Sequence, residues 1–168
     1  MAEVNSSKIL VISSYSPIKE EGNRVISSFI TQLRTDARVK ISVEYMDSES
    51  SSSFEDWSEW MRQLFDAYKT RPKVVVLMGN EAWSVYRVTC PDDWHDTPVV
   101  LGCVKGSFID YECLNALDLL TVREMQQMEE SFGGFKVTGY AYKDYLSENF
   151  RLIKRLQPQV EHIAFCYD

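Results

Sequence analysis

The chain has 168 residues, 45% of them hydrophobic and 26% charged, a balance that fits one globular domain and excludes a disordered or fibrous chain. Its formal net charge of -7 argues against nonspecific nucleic-acid binding, which needs cations to displace counterions, and against docking on an anionic membrane surface. No apolar run approaches the length of a membrane span, and residues 1–7 are small and polar, without a hydrophobic signal segment, so they read as a leader or linker.

Lys8 to Ser14 (KILVISS) is a short apolar run that predicts a central parallel strand. Tyr15 to Asn23 carries Pro17 and Gly22 and predicts a loop. Arg24 to Arg34 places Val25, Ile26, Phe29, Ile30 and Leu33 on one helical face, with Asn23 as the N-cap. Val39 to Met46 alternates Ile41, Val43 and Tyr45 with polar neighbours, which predicts a second strand. The serines and acids of Asp47 to Ser53 predict a solvent-facing loop. Phe54 to Tyr68 predicts a second helix with Trp57, Met61, Leu64, Phe65 and Tyr68 on one side. Its aromatic residues read as core, and Trp60 as core rim or interface. Lys73 to Met78 (KVVVLM) predicts the third strand. Gly79 to Glu81 turns into a helix over Ala82 to Val88, and Thr97 to Gly102 (TPVVLG) predicts the fourth strand.

Phe108 to Asn115 reads as loop or a short helix, and Leu117 to Val122 as strand or a buried turn. The polar stretch Val122 to Phe132 is broken by Gly133 and Gly134. Lys136 to Gly139 predicts a further short strand. Tyr145 to Leu156 predicts a helix with Leu146, Phe150, Ile153 and Leu156 near one face, stopped by Gln157 and Pro158. His162 to Tyr167 predicts a last strand, which nothing in the sequence covers. Strands alternating with amphipathic helices predict an α/β fold, an open and mostly parallel sheet with helices on both faces. Residues 8–144 read as a first α/β lobe, and residues 145–168 as a crossover helix and first strand toward a second lobe.

In such a sheet ligands bind beyond the carboxyl ends of the strands. The candidate binding residues are therefore Ser14 and Tyr15 after the first strand, Gly79, Asn80 and Glu81 after the third, and Gly102 and Cys103 after the fourth. A helix starting near Gly79 would offer N–H groups to an anion or carboxylate. Glu81 is either an opposing ligand contact or a helix-start charge. The turn after the first strand is Ser-Tyr-Ser-Pro, without the glycines of a dinucleotide site, and neither a P-loop nor a receiver-type acidic pair is present. Cys103 would act as a nucleophile only beside a base, and nothing in the sequence brings His95 or His162 to it. The cysteines Cys90, Cys103, Cys113 and Cys166 have no CxxC spacing and read as buried thiols, with one disulfide among the first three left open. No catalytic residue, metal site or cofactor is expected.

The runs Lys8-Ile-Leu-Val-Ile-Ser-Ser-Tyr15, Val74-Val-Val-Leu-Met-Gly-Asn-Glu-Ala82 and Thr97-Pro-Val-Val-Leu-Gly102 carry a resemblance in their order and spacing. So do Val137-Thr-Gly139 and the segment Asn149 to Asp168. Together they resemble the ABC-transporter substrate-binding-like (periplasmic-binding-protein-like) family, in particular its versions serving as extracytoplasmic sensor domains of bacterial membrane histidine kinases and hybrid two-component sensors. The resemblance implies one lobe of a type I periplasmic-binding-protein-like fold, with a ligand cleft closed by a second lobe and Asp168 near the opposing wall. It implies a periplasmic segment of an inner-membrane protein, anchored through parts of the parent outside this segment. That segment would bind a small molecule or accessory protein and hold no kinase activity. A freestanding flavodoxin-like small-molecule enzyme domain and a protein-interaction or homodimerisation module are the alternatives.

Overall fold

A computed structural model of the chain describes residues 7–18, 20–33, 39–50, 53–68, 70–108, 126–142 and 145–162. The described elements are, in order, strand β1 (Ser7–Ser13), helix α1 (Glu20–Leu33), β2 (Val39–Tyr45), α2 (Phe54–Ala67), β3 (Val74–Met78), α3 (Asn80–Thr89) and β4 (Val99–Lys105). There follow the two-residue strands β5 (Ser107–Phe108) and β6 (Gln126–Gln127), then β7 (Val137–Tyr142) and α4 (Leu146–Leu156). Two short 3-10 turns, Asp92–Trp94 and Met128–Ser131, precede β4 and β7. Five strands form one parallel sheet in the order β2-β1-β3-β4-β7, and β5 pairs antiparallel with β6. The expected α/β class with an open parallel sheet is what the chain forms.

Burial explains the order. Leu10, Val11 and Ile12 of β1 and Val75, Val76, Leu77 and Met78 of β3 are all buried. Side chains alternate across a strand, so both faces of these two strands are covered and they take the centre. One face carries Leu10, Ile12, Val75, Leu77, Val99 and Leu101 in a core shared with α2 and α3. The other carries Val11, Val76 and Met78 against Ile26 of α1.

Helix α2 begins where Ser53 accepts a hydrogen bond from the Asp56 N–H at 3.4 Å, with Glu55 and Asp56 favouring the positive end of the helix. Trp57, Met61, Leu64 and Phe65 recur at helical spacing and are buried. Phe65 meets Tyr86 of α3 and Trp94 edge-on, with ring centroids 5.7 and 4.9 Å apart. Trp60 and Tyr68 pack partly buried against the same core.

Several boundaries differ from expectation. Helix α1 starts at Glu20, so Asn23 lies inside it and is not its N-cap. Gly22 costs only about 1 kcal/mol within a helix, too little to delay its start. Helix α3 runs from Asn80 to Thr89, and β7 continues past Gly139 to Tyr142. Met46 and Ser48 are buried, so the loop after β2 does not simply face solvent. The expectations for Leu117 to Val122, for the strand beyond His162, and for Cys113, Cys166 and Asp168 fall outside the described residues.

Tyr86 is fully buried and its hydroxyl has no hydrogen-bond partner. Burial pushes its pKa above the ordinary tyrosine value; the Cys90 thiol is its polar neighbour and too weak an acceptor to replace an oxygen. Tyr86→Phe is therefore expected to raise unfolding stability by about 1 kcal/mol in urea titrations. A loss of stability would mean that the hydroxyl makes a bond in solution.

Candidate functional site

The chain leaves β1 through α1 to reach β2 on one side, and leaves β3 through α3 to reach β4 on the other. The carboxyl ends of the adjacent strands β1 and β3 therefore flank the switch in strand order, where such sheets open a crevice. Six of the expected residues meet here or beside it: Ser14, Tyr15, Gly79, Asn80, Gly102 and Cys103.

Ser14 is the hub. Its N–H donates to the Met78 carbonyl at 2.8 Å, and its own carbonyl accepts from the Ser48 N–H at 2.8 Å and the Ser48 hydroxyl at 3.0 Å. Its Oγ accepts from the Ala82 N–H at 2.9 Å, so a side chain from β1's turn caps α3. Ser14 is 1% exposed, so it organises the crevice floor and has almost no surface to give a ligand. Gly79 stands over it with φ +100°, and a Cβ there would lie 2.6 Å from the Ser14 Oγ.

Gly79 N–H donates to the Gly102 carbonyl at 3.0 Å, tying β3's turn to β4. Gly102 and Cys103 were expected in a turn after the fourth strand, but β4 runs on to Lys105 and they lie within it. The register with β7 shifts between Leu101 and Val104, and Cys103 has φ +54°, which makes this a β-bulge. The bulge turns the Cys103 carbonyl to the Tyr15 hydroxyl, which donates to it at 3.3 Å. Asn80 Oδ1 accepts from the Lys105 N–H at 2.7 Å. Glu81 lies in the first turn of α3, its Oε2 3.3 Å from where a Gly79 Cβ would be, which suits a helix-start charge.

Several backbone donors of these turns are engaged within the protein. Beyond the N–H groups of Ser14, Gly79, Ala82 and Lys105, the Tyr15 N–H reaches Ser13 Oγ at 3.1 Å and the Ile18 N–H reaches Ser16 Oγ at 3.3 Å. At the start of α3, Ser14 Oγ takes the Ala82 N–H that the expected anion cradle would have offered. Tyr15, Asn80 and Glu81 are part-exposed along these turns, and Ser16 is buried. Asp168 lies outside the described residues.

Among the described residues, nothing in the crevice forms a nucleophile and base pair. Burial pushes the Cys103 thiol above its ordinary pKa, which keeps it protonated and unreactive. His95 stacks on Phe135 with ring centroids 4.1 Å apart, near the amino end of β4 and so at the far end of the sheet. His162 is exposed beyond α4. Cys90 and Cys103 are free thiols. Among the described residues no group of three or more His, Cys, Asp or Glu is placed to hold a metal ion, and no helix is long and apolar enough to cross a membrane.

Sequence reading missed Ser48, hidden in a serine-rich run, although a loop following β2 must pass beside the end of β1. It also missed a half-open cavity of about 170 Å³ between β4, β7 and the Met128–Ser131 turn. Leu101, Val104, Met128, Phe132 and Ala141 give it apolar walls, with Glu129 among the lining residues. This cavity requires β7 and the Met128 turn to meet, which local sequence does not specify.

No protein-family model, curated protein or solved structure matches this chain.

Proposed function

We propose that the chain is the first lobe of an extracytoplasmic ligand-sensing domain belonging to a membrane histidine kinase of the two-component type, with no catalysis in this segment. The observation that carries this reading is a switch-point crevice whose floor is tied together by Ser14, Gly79 and Gly102. Such a wall suits recognition of a small polar molecule, or a loop of an accessory protein, through Tyr15, Asn80 and Glu81. The resemblance in the runs Lys8–Tyr15 and Val74–Ala82 supports the same assignment. A second lobe would supply the opposing wall, and closure of the two would bias the attached kinase.

The flavodoxin-like alternative shares the strand order. A phosphate-bearing flavin needs free N–H groups at the turn after β1, and the Ser14, Tyr15 and Ile18 N–H groups donate inside the protein. That observation favours the sensor reading.

A thermal-shift series with hexoses, L-amino acids, short peptides and organic acids tests the proposal. It should compare the 168-residue chain with one carrying a following lobe. A ligand at about 100 times its Kd adds about 2.7 kcal/mol of stability. The expected result is a shift specific to one compound class, larger in the two-lobed protein because a cleft needs both walls. A shift with flavin mononucleotide, or turnover by the 168-residue chain, would contradict the proposal.

A further inference from the structure

On the α3 side of the sheet, past β4, lies the cavity of about 170 Å³ between β4, β7 and the Met128–Ser131 turn. Every residue that lines it is among those described. Leu101, Val104 and Met128 are buried at its walls, and Phe132 and Ala141 are half-buried. Protein interiors hold few voids larger than a water molecule, so a space of this size beside a packed core has a structural cause. Part of it is β7. Val137 and Ala141 pack toward this core, and alternation along the strand puts Gly139 on the same face, so two of the three residues there are small. The rest is the opposite wall, which is fixed in place. The Met128 N–H donates to the Gly106 carbonyl at 2.9 Å, and Ser131 Oγ donates to the Met128 carbonyl at 2.6 Å. The buried indole N–H of Trp83 in α3 donates to Ser131 Oγ at 2.7 Å, and the Trp83 ring meets Phe132 edge-on at 5.8 Å. The turn is thereby tied to the end of β4 and to α3 at once, and does not collapse into the gap.

We propose that this cavity binds a single aromatic ring bearing a short ammonium arm, a compact arylalkylamine. An apolar cavity of about 150 Å³ holds benzene, so this one admits one six-membered ring with a carbon or two. The Met128 thioether and the Phe132 ring both make favourable contacts with an aromatic partner. Glu129 is the charged residue of the lining and is exposed, which sets it at the rim, where the arm emerges. Its sign favours an ammonium and disfavours a carboxylate, so aromatic amino acids are poor ligands here. The site shares no residue with the crevice between β1 and β3, and it stands or falls independently of the ligand-sensing reading.

Methyl NMR of the 168-residue chain with labelled methionines, titrated in turn with benzylamine, benzyl alcohol and benzoate, tests it. The expected result is a saturable benzylamine shift at the Met128 methyl, with Met46 and Met61 unmoved and benzoate the weakest of the three. Ala141→Leu, which fills the space, is expected to weaken benzylamine at least tenfold with circular dichroism unchanged. Glu129→Gln, at an exposed position, is expected to remove a preference of about threefold for benzylamine over benzyl alcohol. No saturable shift at Met128, or benzoate binding as tightly as benzylamine, would overturn the proposal. So would cross-relaxation from the Met128 methyl to side chains of residues 109–125 that benzylamine does not displace, since the chain would then fill the space itself.

Discussion

Replacing Gly139 by alanine is expected to destabilise the chain by about 4 kcal/mol, from ~1–3 kcal/mol of backbone strain and ~1–3 kcal/mol of overpacking. Gly139 has φ +147°, and a Cβ there would run into the carbonyl oxygen of Leu101 and sit 2.7 Å from the Leu101 amide nitrogen. Both atoms are backbone of the adjacent strand, so no side-chain rotation can relieve the contact. The β4–β7 pairing must open instead, and it holds the bulge that aims Cys103. In a domain of this size the loss lowers Tm by about 10 °C. Gly133→Ala is the comparison: its φ is +53° but its Cβ would meet nothing within 4 Å, so only about 1 kcal/mol is expected. Thermal unfolding of both variants measures the difference. Equal losses would show that β4 and β7 do not approach as closely as described.

Gly79→Ala is the second large effect, at about 3 kcal/mol by the same two contributions. Here the obstacle is a side chain: the new Cβ would lie 2.6 Å from Ser14 Oγ and 2.8 Å from Ser14 Cβ. The displaced Ser14 would also release the Ala82 N–H and uncap α3. Ser14→Gly alone leaves the buried Ala82 N–H without its partner and costs about 1 kcal/mol. In the double variant the steric conflict is gone and only the strain at φ +100° and the lost cap remain. The two changes are therefore expected to be less than additive by about 1–2 kcal/mol in a double-mutant cycle. Additivity would mean that Ser14 and Gly79 do not touch. Because the pair forms the floor of the crevice, Gly79→Ala is also expected to abolish any ligand-dependent thermal shift.

The strands of the central sheet were legible because Leu10 to Ile12 and Val75 to Met78 are short continuous apolar runs, as strands covered on both faces must be. Helix α2 was legible because Trp57, Met61, Leu64 and Phe65 keep helical spacing. The start of α1 was not, since Gly22 and Asn23 suit a turn when read locally and are tolerated in the helix's opening turns. The extension of β4 through Gly102 and Cys103 was hidden for a related reason. A glycine after an apolar strand resembles a stop, while here it admits the Met78 sulfur, 2.7 Å from where its Cβ would be.

The candidate site was legible as positions and not as roles. Strand ends named Ser14, Gly79 and Gly102, but only tertiary geometry shows that Gly79 bonds to Gly102 and that Ser14 takes the Ala82 N–H at the start of α3. The full length of β7 was hidden as well, because the expected strand ended at Gly139, before Tyr140 and Tyr142.

Amide-resolved NMR of the chain, titrated with pooled hexoses and then pooled L-amino acids at millimolar concentration, most directly tests whether the carboxyl ends of β1, β3 and β4 form a binding wall. The expected result is a set of shifts concentrated at Tyr15 and Ser16, Asn80 and Glu81, and Cys103 to Lys105. Shifts concentrated instead around Met128, Phe132 and Thr138 to Ala141 would place binding in the cavity beside β7 and contradict the assignment.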